Sequence, residues 1–420
     1  MLLELSIKNY LSFKEKVTLS FTSVTKDNSY LDRNINTNNI LKTTAIYWLN
    51  ASGKTNLLNA VALIKTLIID SRKIWPNEQI FLPWIRFQPF LLNTTSINKP
   101  AEFEIVFEID WKTYKYNFSL TNRQIVSENL YLKWSPREKL LFKRKNQNIT
   151  IYNFDDNNSK KRVNETNLAL SVFAKEWSEE AKKINKFFHD IYIFFKWYTF
   201  FDTENMLKLE PDTFRLFLKK LIWNADYGIW NINYYTKKIP FKSIPNYNDI
   251  ERIMWEQKMQ IPNEIDQWIR EIMHNVYDDE WNFAWYINLW LDAESDWTKK
   301  ILWLAWSIYD VIRRWKILFI DELNESLHPQ LLNNLIMSMH NANTTKPYQF
   351  IFTLHNTHTM NIQRIFKRDQ IRFMKKWPKW NSKLTRLSDM NVRKDFVVEK
   401  KYFENKLWKD LEEKKNLLDN

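Results

Sequence analysis

The stretch "AIYWLNASGKTNLL", residues 45–58, decides how the rest of this chain is read. Its end is chemically specific. Gly53, Lys54 and Thr55 form a G-K-[ST] ending, in which backbone N–H groups wrap phosphates, a lysine reaches the β and γ phosphates and a hydroxyl ligates Mg²⁺. Upstream, "TTAIY" is a short β-prone apolar run. Downstream, "NLLNAVALIKTLI" carries apolar residues at helical spacing, so the loop joins a strand to a helix. Trp48, Asn50, Ala51, Ser52, Gly53, Lys54, Thr55 and Asn56 are therefore the candidate phosphate-binding residues. Position 48 alone departs from the pattern. Such a loop begins with glycine, and an indole there meets backbone strain and crowds the phosphates.

Composition accounts for the departure. The chain has 2 Gly and 21 Trp in 420 residues, where average usage of about 7% glycine gives roughly 29. Tryptophan also stands at turn-like sites. "EIDWKTYKYNF" at 108–118 reads as a hairpin with an Asp-Gly turn, and "DDEWNF" at 278–283 is similar. We read most of these tryptophans as glycines of a host whose code assigns UGA to glycine, translated here as Trp. A literally Trp-rich protein is the alternative.

At this length the chain buries a substantial core in two or three lobes. It has no Cys, which excludes disulfides and thiolate metal sites and fits a reducing cytoplasm. The opening "MLLELSIKNYLSFKEK" alternates like a strand and lacks a signal-peptide block, and no apolar run approaches the roughly 20 residues of a membrane span. The net charge of +13 permits nucleic-acid binding, but abundant Lys, Asn and Ile fit AT-rich coding equally well.

The pattern predicts an α/β fold split by an insertion. Residues 1–165 read as strands, phosphate loop and helix, then an antiparallel β subdomain over about 84–153 containing "AEFEIVFEI" and "KTYKYNFSL". Residues 166–283 read as mainly helical, as in "SVFAKEWSEEAKKINKFFHDI" and "DTFRLFLKKLIW", and residues 284–420 hold the second set of chemical residues.

That set begins with "KILFIDELNESLHP", residues 316–329. Four apolar β-formers lead into Asp321 and Glu322, placing both carboxylates at the carboxyl end of a buried parallel strand. This is a Walker B pattern, with Asp321 in the Mg²⁺ shell and Glu322 as general base toward water. In "AESDWTKKILWLAWSIYDVI", residues 293–312, glycine at 297 gives E-S-D-G-T-K-K at a helix start. Ser295 and the amides near Trp297 then form an anion site; a plain N-cap serine is the bland alternative. "YQFIFTLHNTHTM" carries one more strand into His355, which would contact the γ phosphate or the catalytic water.

The order of phosphate loop, long insertion, S-x-G-T signature, Walker B with adjoining Glu, and histidine switch resembles the ABC-type heads of the SMC and RecF class. Within that class it is most similar to bacterial AAA-family ATPases related to the OLD and RloC/AbiL abortive-infection proteins. The similarity extends to "SIKNYLSFKEKVTLSF", "PFLLNTTSINKPAEFEIVFEID", "NADYGI", "DELNESLHP", "RDQIRFMKKW" and "LSDMNVRKD". It implies a P-loop NTPase of ABC-head type with a mixed sheet flanked by helices, using ATP and Mg²⁺. Lys54 and Thr55 would bind phosphate and Mg²⁺, Asp321 Mg²⁺, and Glu322 water. His355 matches the switch, and Ser295 with Trp297 and Thr298 matches the signature that completes a second subunit's ATP site. Residues 324–329 match a loop that touches the partner. Gln88 is a weaker match to the glutamine that senses Mg²⁺; a sheet-surface Gln is the alternative. The resemblance implies a homodimer around two ATP and an ATPase acting in phage defence with a separate effector protein. A DNA-repair ATPase and a scaffold without turnover are the rival readings.

Overall fold

The computed structural model describes residues 1–25, 29–48, 53–71, 81–82, 85–134, 137–155, 159–176, 178–195, 213–214, 216–217, 229–243, 251, 262–290, 293–325, 327–342, 344, 346–355, 357–362, 364–376 and 381–390. In chain order the strands are β1 (Leu2–Lys8), β2 (Val17–Ser20), β3 (Thr43–Trp48), β4 (Phe81–Leu82), β5 (Ile85–Arg86), β6 (Ala101–Ile109), β7 (Lys112–Leu120), β8 (Ile125–Trp134), β9 (Arg137–Lys145), β10 (Asn148–Ile151), β11 (Ile191–Phe194), β12 (Ile229–Pro240), β13 (Glu264–Tyr277), β14 (Phe283–Trp290), β15 (Ile317–Ile320), β16 (Gln349–Leu354), β17 (Ile371–Lys376) and β18 (Ser382–Arg386). Two compact units result, one from Met1–Phe200 with Asp310–Asn420, the other from Phe201–Tyr309.

The first unit holds two large sheets. One is antiparallel, in the order β10-β9-β8-β7-β6-β1-β2. Its strands are written by alternation: in β6, Phe103, Ile105 and Phe107 are buried, while Glu102 is exposed and Glu104 half-buried on the other face. The other sheet is mixed, in the order β11-β15-β16-β3-β17-β18, with all neighbours parallel except the last pair. Its strands β15 and β16 are buried along their whole length and mostly apolar, as suits strands covered on both faces. Helix α1 (Lys54–Asp70) joins the sheets into one core: Leu57, Leu58, Val61, Ile64, Leu67 and Ile68 cluster with Phe103 and Phe107 and with Ile317, Phe319 and Ile351. Buried Gln349 of β16 adds a polar tie, accepting from Leu2 N at 2.8 Å and donating to Leu2 O at 2.9 Å.

Helices α2 (Ala169–Lys175) and α3 (Glu179–His189) occur where helical spacing predicts them, and Ser178 caps α3 by accepting from Ala181 N. Both belong to the first unit. The remainder of the insertion departs from the helical expectation. Residues 213–214 and 216–217 are helical, but β12, β13 and β14 form a three-stranded antiparallel sheet. The misreading has a physical cause. In "QWIREIMHNVY", Trp268, Ile269, Ile272, Met273 and Val276 fall at helical intervals, while both faces of the strand mix polar and apolar residues, so the two-residue period is not visible. Pairing with distant strands overrides the local pattern. The second unit extends to Tyr309, so residues 284–309 lie in it. "NADYGI" falls mostly outside the described residues.

Candidate functional site

Because β11, β15, β16, β3 and β17 all run parallel, their carboxyl ends share one edge of the mixed sheet. That edge is where open α/β sheets bind ligands. Strand β3 ends there at Trp48, β15 delivers Asp321 and Glu322, and β16 delivers His355.

Trp48 is the last residue of β3, paired with Met374 of β17; its side chain, with Asn50, Ala51 and Ser52, lies outside the described residues. Gly53 is the N-cap of α1 at φ 98°. Glycine suits the position on two counts: the dihedral penalises a β-carbon, and an added Cβ would meet the Ser12 and Ser382 hydroxyls, which would have to turn aside. The turn carrying Ser12 is joined to the start of β18 by a Ser382 N–H to Ser12 O bond of 2.8 Å. Asn56 N donates to Gly53 O at 3.1 Å, closing the first turn.

Lys54 and Thr55, on that first turn, face the residues that follow β15. Lys54 Nζ donates to Glu322 Oε1 and contacts His355 Nε2. His355 Nε2 lies 3.0 Å from the same Glu322 oxygen. Thr55 Oγ1 donates to Asp321 Oδ2 at 3.2 Å. Lys54, Glu322 and His355 thus form one contact group, and Thr55 with Asp321 a second one at the neighbouring positions.

Thr353, which sequence reading passed over, organises the carboxylates. Its buried Oγ1 donates to Asp321 Oδ1 at 2.7 Å and accepts from Glu322 N at 2.6 Å. It holds Glu322 in a left-handed conformation, φ 51°, whose cost of order 1–3 kcal/mol persists only where the surroundings fix it. Its one sequence signal is its place two residues before His355, on the strand beside β15. Asn324, expected in a partner-touching loop, accepts from His355 N at 2.9 Å within the chain. Ser326 of that loop lies outside the described residues.

The two carboxylates differ electrostatically. Partial burial pushes the Glu322 carboxyl up, but hydrogen bonds and charge from Lys54 and His355 outweigh it and hold the group down at about 2. Asp321 is raised above the ordinary aspartate range, chiefly by burial, against hydrogen bonds from Thr353 and Thr55, with repulsion from Glu322 adding to the rise.

Gln88 is half-buried, and its carbonyl accepts from Leu11 N at 2.9 Å, in the turn that also carries Ser12. Ser295, Trp297 and Thr298 belong to the second unit. Ser295 caps the helix Asp296–Arg314: its Oγ accepts from Thr298 N at 3.1 Å and lies 2.9 Å from Thr298 Oγ1. The Trp297 side chain lies outside the described residues. Among the described residues no three His, Asp or Glu side chains form a metal cage, and no helix is long and apolar enough to cross a membrane.

A family model described as "AAA domain, putative AbiEii toxin, Type IV TA system" matches residues 44–361. No curated protein matches the chain. Similar solved structures include the SMC head domain from Thermotoga maritima, with TM-score 0.41 and 13% identity over 92% of this chain and 98% of that one. An Smc head domain with an extended coiled coil bound to the C-terminal domain of ScpA, derived from Pyrococcus furiosus, gives TM-score 0.43 and 12% identity, covering 92% and 97%.

Proposed function

The chain belongs to this AAA domain family, and from that premise we propose that it is an ATP-hydrolysing head that dimerises around two Mg-ATP. The observation that carries the reading is the convergence of Lys54, Thr55, Asp321, Glu322 and His355 at one edge of a parallel sheet. The residues present fit the ligand. Lys54 supplies a cation for β and γ phosphates at the start of a 17-residue helix, whose N-terminal amides favour anions. Thr55 and Asp321 offer one hydroxyl and one carboxylate from elements meeting at 3.2 Å, a set suited to Mg²⁺ shared with phosphates rather than caged by protein alone.

Bound Mg-ATP supplies the electrophilic phosphorus. The chain's own residues do the rest. Lys54 would neutralise phosphate charge, and once engaged there it would leave Glu322, whose carboxylate accepts the proton of an attacking water. His355, fixed through its backbone by Asn324, would orient the same water. Ser295 and Thr298 would complete the ATP site of a second subunit. The family description names a toxin system, which favours an abortive-infection role in phage defence exerted through a separate effector protein. ATP binding by calorimetry tests the core reading: Lys54→Ala should lose it, and unchanged affinity would overturn the phosphate-loop assignment.

Glycine as the native residue at several Trp positions belongs to the same reading, because Trp48 and Trp297 stand within the two phosphate-binding motifs. Three other tryptophans support it by their backbones. Asp110 and Trp111, at φ 47° and 65°, form the two-residue loop between the paired Ile109 and Lys112, which is the type I′ geometry that selects Asp-Gly. Trp281, φ 64°, closes the loop in which Asp278 N donates to Asn282 O. Trp315, φ 57°, follows the helix Asp296–Arg314, and Lys316 N reaches back to Val311 O at 3.1 Å, the helix-ending motif that favours glycine. Trp111 and Trp281 are 81% and 82% exposed, so their indoles gain little in return. Trp306, in contrast, is buried against Phe214 and Tyr309, and nothing there requires glycine.

A further inference from the structure

The second unit contains a paired histidine that the reading above leaves without a task. His274 lies in β13, the central strand of its sheet, in register with Ile229 of β12 and Ile287 of β14. Its Nε2 donates to Glu294 Oε1 at 2.6 Å, with the glutamate side chain 7% exposed. A carboxylate only accepts, so the proton sits on Nε2. Glu294 immediately precedes Ser295, whose Oγ is committed to Thr298 N and whose carbonyl accepts from Lys299 N at 3.0 Å. Those cap bonds fix Ser295 only relative to its own helix. The His274–Glu294 bond ties the same turn to the most fully paired strand of the sheet.

We propose that His274 is a positioning residue for the Ser295–Thr298 signature turn, which it holds in register with the β13 ladder through Glu294. A site that must meet a second subunit's phosphates tolerates little displacement, and a side chain anchored on a rigid strand supplies that constraint. The inference rests on Ser295 acting across the dimer. His274 then has no part in ATP binding at Lys54 and matters only for steps that need the partner.

The test uses the full chain with Trp48→Gly and Trp297→Gly. His274→Leu should lower turnover and weaken Mg-ATP-dependent dimerisation by tenfold or more, while single-subunit ATP affinity, read by titration with a fluorescent ATP analogue, stays within twofold. His274→Gln keeps an N–H donor and should restore most of the loss. Glu294→Ala should match His274→Leu, and the double variant should be no worse than either single one, because one bond is being removed twice. Glu294→Ala carries the same expectation if His274→Leu does not fold. Full turnover in both variants, where Ser295→Ala abolishes it, overturns the proposal. If Ser295→Ala itself changes neither turnover nor dimerisation, the signature reading is what has failed, and this inference with it.

Discussion

Lys54, on the first turn of α1, and Glu322, just beyond β15, are ion-paired across 268 residues of sequence, with His355 Nε2 3.0 Å from the same carboxylate oxygen. The pair couples the proposed phosphate-binding cation to the proposed base. One lysine cannot serve both a phosphate and a carboxylate fully, so nucleotide affinity and the basicity of Glu322 are linked.

The first prediction is a pH signature of that pair. The Glu322 carboxyl is held at about 2 in the fold, against an ordinary value of 4.5. A depressed carboxyl contributes stability that is fully present above its unfolded value and is lost as pH falls through the folded one. The contribution should therefore fade between about pH 4.5 and pH 2. Melting temperatures across this window should show a steeper acid loss in the parent chain than in Glu322→Gln. Parallel curves would contradict the pairing.

Gly53→Ala should abolish ATP binding without unfolding the domain. The substitution places a Cβ against the Ser12 hydroxyl on backbone at φ 98°, so the loop is strained even when the hydroxyl turns aside. Gly53→Ala with Ser12→Gly should recover only part of the affinity, since the dihedral strain of order 1–3 kcal/mol remains. Wild-type affinity in the single variant would refute the account of this contact.

Thr353→Val removes the hydroxyl that bridges Asp321 and Glu322 and leaves one buried and one part-buried partner without it. A loss of about 1–3 kcal/mol in stability is expected, with turnover down tenfold or more and Thr353→Ser close to the parent. Denaturant midpoints and phosphate release measure the two. Normal turnover in Thr353→Val would mean that the bridge does not set the geometry of Glu322.

Trp111→Gly, Trp281→Gly and Trp315→Gly should each stabilise the fold by up to about 1 kcal/mol, through relief of left-handed backbone at a residue bearing a Cβ. Thermal melts of the single variants test this. Sequencing the gene tests its cause: UGA codons at 48, 111, 281, 297 and 315 are predicted, and UGG codons there would contradict it.

These contacts show how much of the site was legible in the sequence. The phosphate-loop ending and the "LFIDE" strand were readable because each is a local pattern, and the parallel order of β3, β15 and β16 follows from such strand-and-helix units. Thr353 was not, because its role depends on the register between β15 and β16, a nonlocal pairing. Ser12 and Ser382 escaped for the same reason, lying 41 residues before and 329 after the glycine they touch. The second unit's sheet was hidden because β13 mixes polar and apolar residues on both faces, leaving an accidental helical period.

The central claim is that Lys54, Thr55, Asp321, Glu322 and His355 form one ATP-hydrolysing site that closes between two subunits. Light scattering with Mg-ATP on Glu322→Gln, in the chain carrying Trp48→Gly and Trp297→Gly, tests it most directly. The account predicts a stable dimer that forms only with Mg-ATP, releases no phosphate and is lost on adding Lys54→Ala. A chain that binds Mg-ATP yet stays monomeric at saturation, or a Glu322→Gln variant that hydrolyses at the parent rate, would contradict it.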